Sequence, residues 1–137
     1  MPRMQMPRLD RRELAAIYAG GVVGALARVA LAQAAPHGAD AWPWATFGAN
    51  MAGALLLGYF VTRLQERLPP SSYRRPFLGT GLCGALTTFS ALQLELFNML
   101  DAGQLGLAIA YVAATLAGGF ACVHLTTAAV RRTRTLR

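Results

Sequence analysis

Long apolar runs alternate with short polar connections along this chain. No charged residue occurs in 41–62 or in 104–130. Four apolar stretches result, at 14–35, 44–62, 77–100 and 105–130, each close to the ~20 residues a helix needs to cross a bilayer. The pattern predicts an all-α, polytopic membrane protein with four transmembrane helices in one membrane domain over 1–137, flanked by basic tails at 1–13 and 131–137. The first run is longer than the ~7–15 residues of a signal-peptide core, and Arg28 interrupts it, so it is expected to be a retained span.

The third run holds the least helix-like composition. It reads GTGLCGALTTFSAL, with Gly79, Gly81 and Gly84 ahead of Thr87-Thr88, Phe89 and Ser90. Glycine and β-branched threonine are poor choices for a straight helix interior. Freed backbone groups inside a membrane are tolerated only where protein, water or an ion meets them. A third helix broken near its middle is therefore expected. The simpler reading is glycines that let a neighbouring helix approach closely.

Helical spacing sorts the remaining polar residues. In span one, Gly20 and Gly24 share a close-packing face, and Arg28 either snorkels to the interface or draws anions to a pore mouth. In span two, Thr46, Asn50, Gly53 and Leu57 share a face. Asn50 suits either an interhelical hydrogen bond or donation to a dehydrated anion. Ala49 with Gly53, and Ala54 with Gly58, repeat the small-residue spacing. In span four, Tyr111, Thr115, Gly118, Gly119, Cys122 and Thr126 form one stripe, either a packing seam or a polar track. Glu95 is the one acid within a span, either a functional group or a solvated or arginine-paired carboxylate. Trp42 and Trp44 around Pro43 suggest an interfacial aromatic belt, and Pro69-Pro70 a firm end to span two.

Composition narrows the class. The chain is 55% hydrophobic and 14% charged, against about 25% charged in soluble domains. The net charge is +7 and every base is arginine. The arginines flank spans, so they act as interface and topology signals and not as a nucleic-acid patch. Cys83 and Cys122 both lie within spans and are expected to be small core residues.

GGVVGALAR in span one, TFGANMAG in span two, GTGLCGALTTFS in span three and Tyr111 with its downstream glycine face together resemble the Fluc (CrcB) family of bacterial fluoride channels over nearly the whole length. The resemblance implies an antiparallel dimer with two fluoride pores and a central, structural sodium ion that is not transported. Matched by motif, sodium would be held by the main-chain oxygens of Gly84 and Thr87. Asn50, Phe89, Thr115 and Arg28 match the family's pore positions, with Ser90, Tyr111 and Thr46 as further pore candidates. The family's TTFSTF is TTFSAL here, so Leu92 stands where a second pore phenylalanine is usual. Either one ring suffices, or a non-identical partner brings the other. Leucine lacks the electropositive ring edge that faces an anion.

The expected function is thus passive fluoride export through a bacterial plasma membrane, without enzymatic activity or a nucleic-acid partner. The competing classes are a four-span dimeric drug or cation exporter, which needs a deep acid, and a non-transporting assembly subunit. Twelve of the thirteen arginines lie in the two tails and the 63–76 connection. The positive-inside rule then sets both termini in the cytoplasm. A bias this one-sided favours pairing with a homologous subunit of opposite orientation over a second copy of the chain.

Overall fold

A computed structural model describes residues 10–67 and 73–135. Pro69-Pro70 and the arginines at 3, 8 and 137 lie outside the described residues. All regular structure among the described residues is helical: α1 (Arg11–Ala34), α2 (Trp44–Arg67), a π-helical segment (Pro76–Cys83), α3 (Gly84–Leu86), α4 (Phe89–Asp101) and α5 (Leu105–Thr135). Four stretches are long and apolar enough to cross a membrane, with mean hydropathy 1.8, 1.3, 1.3 and 1.9 in chain order. They run from Arg11–Ala34, Trp44–Leu64, Pro76–Asp101 and Leu105–Arg132.

The first helix starts earlier than the sequence suggests. Asp10 caps it by accepting from the Arg12 amide at 2.9 Å, the side-chain-to-amide bond that makes aspartate a good N-cap. Tyr73 donates to the other Asp10 oxygen at 3.2 Å, tying the start of span three to the start of span one. Arg11, Arg12 and Glu13, assigned to the basic tail from the sequence, are therefore helical. At the other end of span three, α4 turns into α5 through Gly103, whose φ of +72° suits glycine.

Span three changes winding along its length. Pro76 to Cys83 is wound in wide π turns, α3 adds one turn, and then Thr87 (φ −76°, ψ 151°) and Thr88 (φ −148°, ψ 119°) are extended. Helix resumes at Phe89, capped by Thr88 Oγ1, which accepts from the Ala91 amide at 3.1 Å.

Glycines set the contacts that hold this span in place. A Cβ at Gly20 would collide with the Phe77 carbonyl, and one at Gly24 with the Leu82 carbonyl. From the other side, a Cβ at Gly81 would lie 2.5 Å from the Ile17 carbonyl. Span one thus lies backbone-to-backbone on the π-helical segment, the approach small residues permit in lipid. A second seam joins α2 to α5. Met51 Sδ would lie 2.9 Å from a Cβ at Gly118, and the Val123 carbonyl 2.9 Å from one at Gly58.

That second seam divides the span-four stripe. Gly118 and Gly119 receive Met51, Cys122 Sγ lies 4.0 Å from Met51 Sδ, and Thr126 bonds the Cys122 carbonyl of its own helix. This lower part is a packing seam. Only Tyr111 and Thr115 are left as polar groups available for other work. The buried core, Leu92, Met99, Ala108 and Tyr111, sits at the opposite end of the bundle under Trp42 and Phe47. Leu26, Leu116 and Phe120 are widely exposed, as lipid-facing positions are.

Candidate functional site: the Thr87–Thr88 junction and the carboxylate above it

Three successive residues on one face of α2 meet span three at its change of course. Thr46 Oγ1 donates to Glu95 Oε1 at 2.5 Å. Asn50 Oδ1 accepts from the Thr88 amide at 2.8 Å, and its Nδ2 donates to the Thr88 carbonyl at 3.3 Å. A Cβ at Gly53 would collide with the Thr87 methyl. The face shared by Thr46, Asn50 and Gly53 is thus the face that receives the junction, as their spacing implies.

The junction has a plain electrostatic consequence. Inside a helix, Gly84 would pass its carbonyl to the amide of Thr88. That amide is bonded to Asn50 instead, so the Gly84 carbonyl is released from its helical partner. Thr87 adds its hydroxyl to the Cys83 carbonyl at 2.9 Å. Arg28 donates Nε to the Ala85 carbonyl at 3.1 Å from a part-buried position. Arg28 is therefore bound to the span-three backbone beside the junction, and it also lines a small cavity of ≈ 120 Å³ with Thr46 and Thr88.

Gly84 and Thr87 open onto a groove of ≈ 430 Å³, whose other walls include Gly53, Leu57, Gly119 and Val123. Nothing lies within 4 Å of where a Gly84 Cβ would stand. Phe89 and Leu92, one turn apart, part company. Phe89 is 69% exposed, whereas Leu92 is 7% exposed and belongs to the core with Tyr111. Ser90 lies beside Phe89 on the exposed side, its hydroxyl 3.2 Å from that of Thr88. The Leu92 position does not share the outlook of Phe89.

Above the junction, two pore candidates converge on the span-three acid. Tyr111 donates to Glu95 Oε2 at 2.6 Å, opposite the Thr46 bond. His37 Nε2 lies 3.4 Å from Glu95 Oε1. Among the described residues Glu95 has no arginine partner: it is 11% exposed and enclosed by hydroxyls and an imidazole. Hydrogen bonds of this kind are what a carboxylate needs to stay inside a membrane bundle. The sequence marks Thr46, Glu95 and Tyr111 separately but gives no signal that they meet.

Trp42 is the other surprise. Trp44 is 66% exposed, as a belt residue should be. Trp42 instead stands edge-on to Tyr111 and Phe47, each with ring centroids 5.4 Å away. Its indole nitrogen and the Thr115 hydroxyl are buried without a hydrogen-bond partner among the described residues. Two donors thus lie unused in the part of the bundle where the polar side chains gather.

Comparison with known proteins points to one family. The family described as CrcB-like protein, Camphor Resistance (CrcB), matches residues 15–127. The chain is 57% identical over 132 residues to "Fluoride-specific ion channel FluC 1" of Mycobacterium bovis, covering 96% of this chain and 100% of the relative. It is 54% identical over the same shares to the protein of that name from Mycolicibacterium paratuberculosis. It is 37% identical to "Fluoride-specific ion channel FluC" of Chlorobaculum tepidum, over 78% of this chain and 85% of the relative. With four apolar helices, the glycine-threonine stretch in the third and a match across most of its length, the chain belongs to the CrcB-like family.

Proposed function

We propose that the chain is a subunit of a passive fluoride channel in the bacterial plasma membrane. The observation that carries this reading is the Asn50 clamp on Thr88 beside an exposed Phe89 ring. It keeps an amide and an aromatic edge, both uncharged, at mid-span. A small, strongly hydrated anion needs donors to replace its water, yet a charged lining would hold it too tightly to conduct. The names of the relatives, fluoride-specific ion channels that include one at 57% identity, point to the same ion.

The working unit in this reading is an antiparallel dimer. The groove that exposes Gly84 and Thr87 has the small-residue walls a second subunit could approach. A sodium ion on the axis would bind their main-chain oxygens, hard ligands suited to a hard cation. The released Gly84 carbonyl supports that assignment. Asn50, Phe89, Ser90 and Thr115 line the fluoride path, with Thr46, Tyr111 and Arg28 at its approach. Leu92 is turned into its own core, which favours a non-identical partner as the source of a second ring. The arginine bias, with both termini cytoplasmic, favours the same partner.

Fluoride efflux from loaded liposomes, with sodium present and a potassium/valinomycin potential, tests the function. Flux from the chain alone or with an oppositely biased homologue is the expected result; none from either sinks the proposal. Labelling of a C-terminal cysteine tag from one side of the cell membrane tests the orientation, and equal labelling from both sides ends the heterodimer idea. A cation exporter is the second reading, favoured by the enclosed Glu95. It requires cation uptake driven by protons and lost in Glu95→Gln. A non-transporting subunit requires that Asn50→Ala leave the fluoride sensitivity of cells unchanged.

A further inference from the structure

The connection between α1 and α2 carries a histidine whose two ring nitrogens both face oxygen. His37 Nδ1 lies 3.1 Å from the Gly38 carbonyl, and Nε2 lies 3.4 Å from Glu95 Oε1. A carbonyl oxygen and a carboxylate oxygen are both acceptors. A neutral imidazole carries one N–H, so one nitrogen lone pair would be set against an oxygen lone pair. The imidazolium carries two and satisfies both. The histidine side chain is 23% exposed, within reach of protons from solution, while the Glu95 side chain is 11% exposed.

We propose that His37 and Glu95 form a proton-operated couple at the mouth of the anion path, in which protonation of His37 neutralises the carboxylate and admits the anion. The proposal rests on the fluoride-channel reading. Glu95 is held by Thr46 and Tyr111, two residues assigned to the approach of that path. An unneutralised carboxylate at the approach lowers the local concentration of anions, and an imidazolium in contact with it removes that penalty. The effect grows where the surroundings exclude water.

The other charged groups near the couple do not replace His37. From α5 comes Tyr111, which donates as the neutral phenol. From the same connection comes Asp40, exposed and beside Gly38. Span one contributes Arg28, whose Nε is bound to the Ala85 carbonyl and which shares the small cavity with Thr46. The α2 face contributes only Thr46, and Asp101 is exposed at the far end of α4. Among the described groups that meet Glu95, His37 is the one able to carry a positive charge.

The test has two arms, both on the full-length chain in the channel as it assembles, with a partner subunit if flux requires one. In the first, fluoride efflux is measured while the pH on the His37 side is stepped from about 8 to about 5.5, which brackets ordinary histidine titration. Protein-free vesicles subtract leakage of hydrogen fluoride. Wild-type flux should rise about threefold or more. His37→Gln should stay at the high-pH level throughout, and His37→Arg at the low-pH level. An unchanged pH step in His37→Gln, or a flat wild type, overturns the proposal. In the second arm, ring-nitrogen signals follow protonation of His37 in a His124→Gln background, which leaves it the sole histidine of the two. Protonation should require a lower pH in Glu95→Gln than in the Glu95 protein, and identical curves overturn the couple. This arm needs no flux. A chain that never conducts fluoride but shows the shifted curve therefore refutes the channel reading, and gating with it, separately from the contact.

Discussion

Asn50→Ala is the perturbation whose effect follows most directly from the geometry. The side chain makes two bonds to one main-chain unit, accepting from the Thr88 amide at 2.8 Å and donating to its carbonyl at 3.3 Å. Truncation leaves both groups unpaired in a water-poor interior, at about 1–3 kcal/mol for each buried group left unsatisfied. Interhelical bonds measured in membranes average only ~0.6 kcal/mol, because the reference state finds other partners. The longer bond belongs at the weak end. A loss of about 2 kcal/mol is the expected total. Asn50→Asp keeps an acceptor for the amide but sets an oxygen against the Thr88 carbonyl, so it should be no milder. The assay is the fraction of protein that stays monodisperse after graded heating in detergent, read beside fluoride efflux. Both variants should melt several degrees below wild type and lose flux. Wild-type melting of Asn50→Ala would refute the claim that this amide holds the junction.

Phe89→Ile should show the opposite split: with its ring 69% exposed in the subunit, it should lose fluoride flux while the folded subunit keeps its heat resistance, and wild-type flux would mean the ring edge is not used. Gly24→Ala should destabilise by about 1–3 kcal/mol through overpacking against the Leu82 carbonyl, whereas Gly21→Ala, with nothing within 4 Å of its Cβ position, should be near neutral; equal melting of the two would contradict the seam. Exchange of sodium for a large organic cation should abolish flux if the Gly84 and Thr87 main-chain oxygens hold the ion, with Thr87→Ala milder than Gly84→Pro, and unchanged flux without sodium would overturn that assignment.

Much of the architecture is legible in the sequence because lipid enforces it. A span needs about 20 apolar residues whatever it packs against, so the runs at 44–62 and 105–130 contain the helical starts at Trp44 and Leu105. Gly20 and Gly24 announce a seam for a similar reason: their spacing leaves one face without side chains. Contacts between helices are less readable, since they depend on how far each helix is rotated and slid. Nothing local says that Thr46 and Tyr111, on different helices, reach opposite oxygens of Glu95. The stripe below Tyr111 misleads on the same ground. Its small residues fit a track as well as a seam, and it is Met51, unremarkable in the sequence, that fills the space beside Gly118 and Cys122. His37 lies in a turn-rich connection, where the fold of the loop alone decides what the ring meets.

The extended Thr87 and Thr88 also make two short helices meet end to end within the span. The helix closing at Leu86 brings a carbonyl-rich terminus to this point, and the one opening at Phe89 brings an amide-rich terminus. Aligned peptide dipoles give such ends about half a charge of opposite sign. One small region of backbone is thereby amphoteric, attractive to a cation on one aspect and to an anion on the other. No ionisable side chain is needed for either. Polarity built from peptide units does not titrate, does not require a counter-ion when empty, and survives any side-chain substitution that leaves the two turns in place.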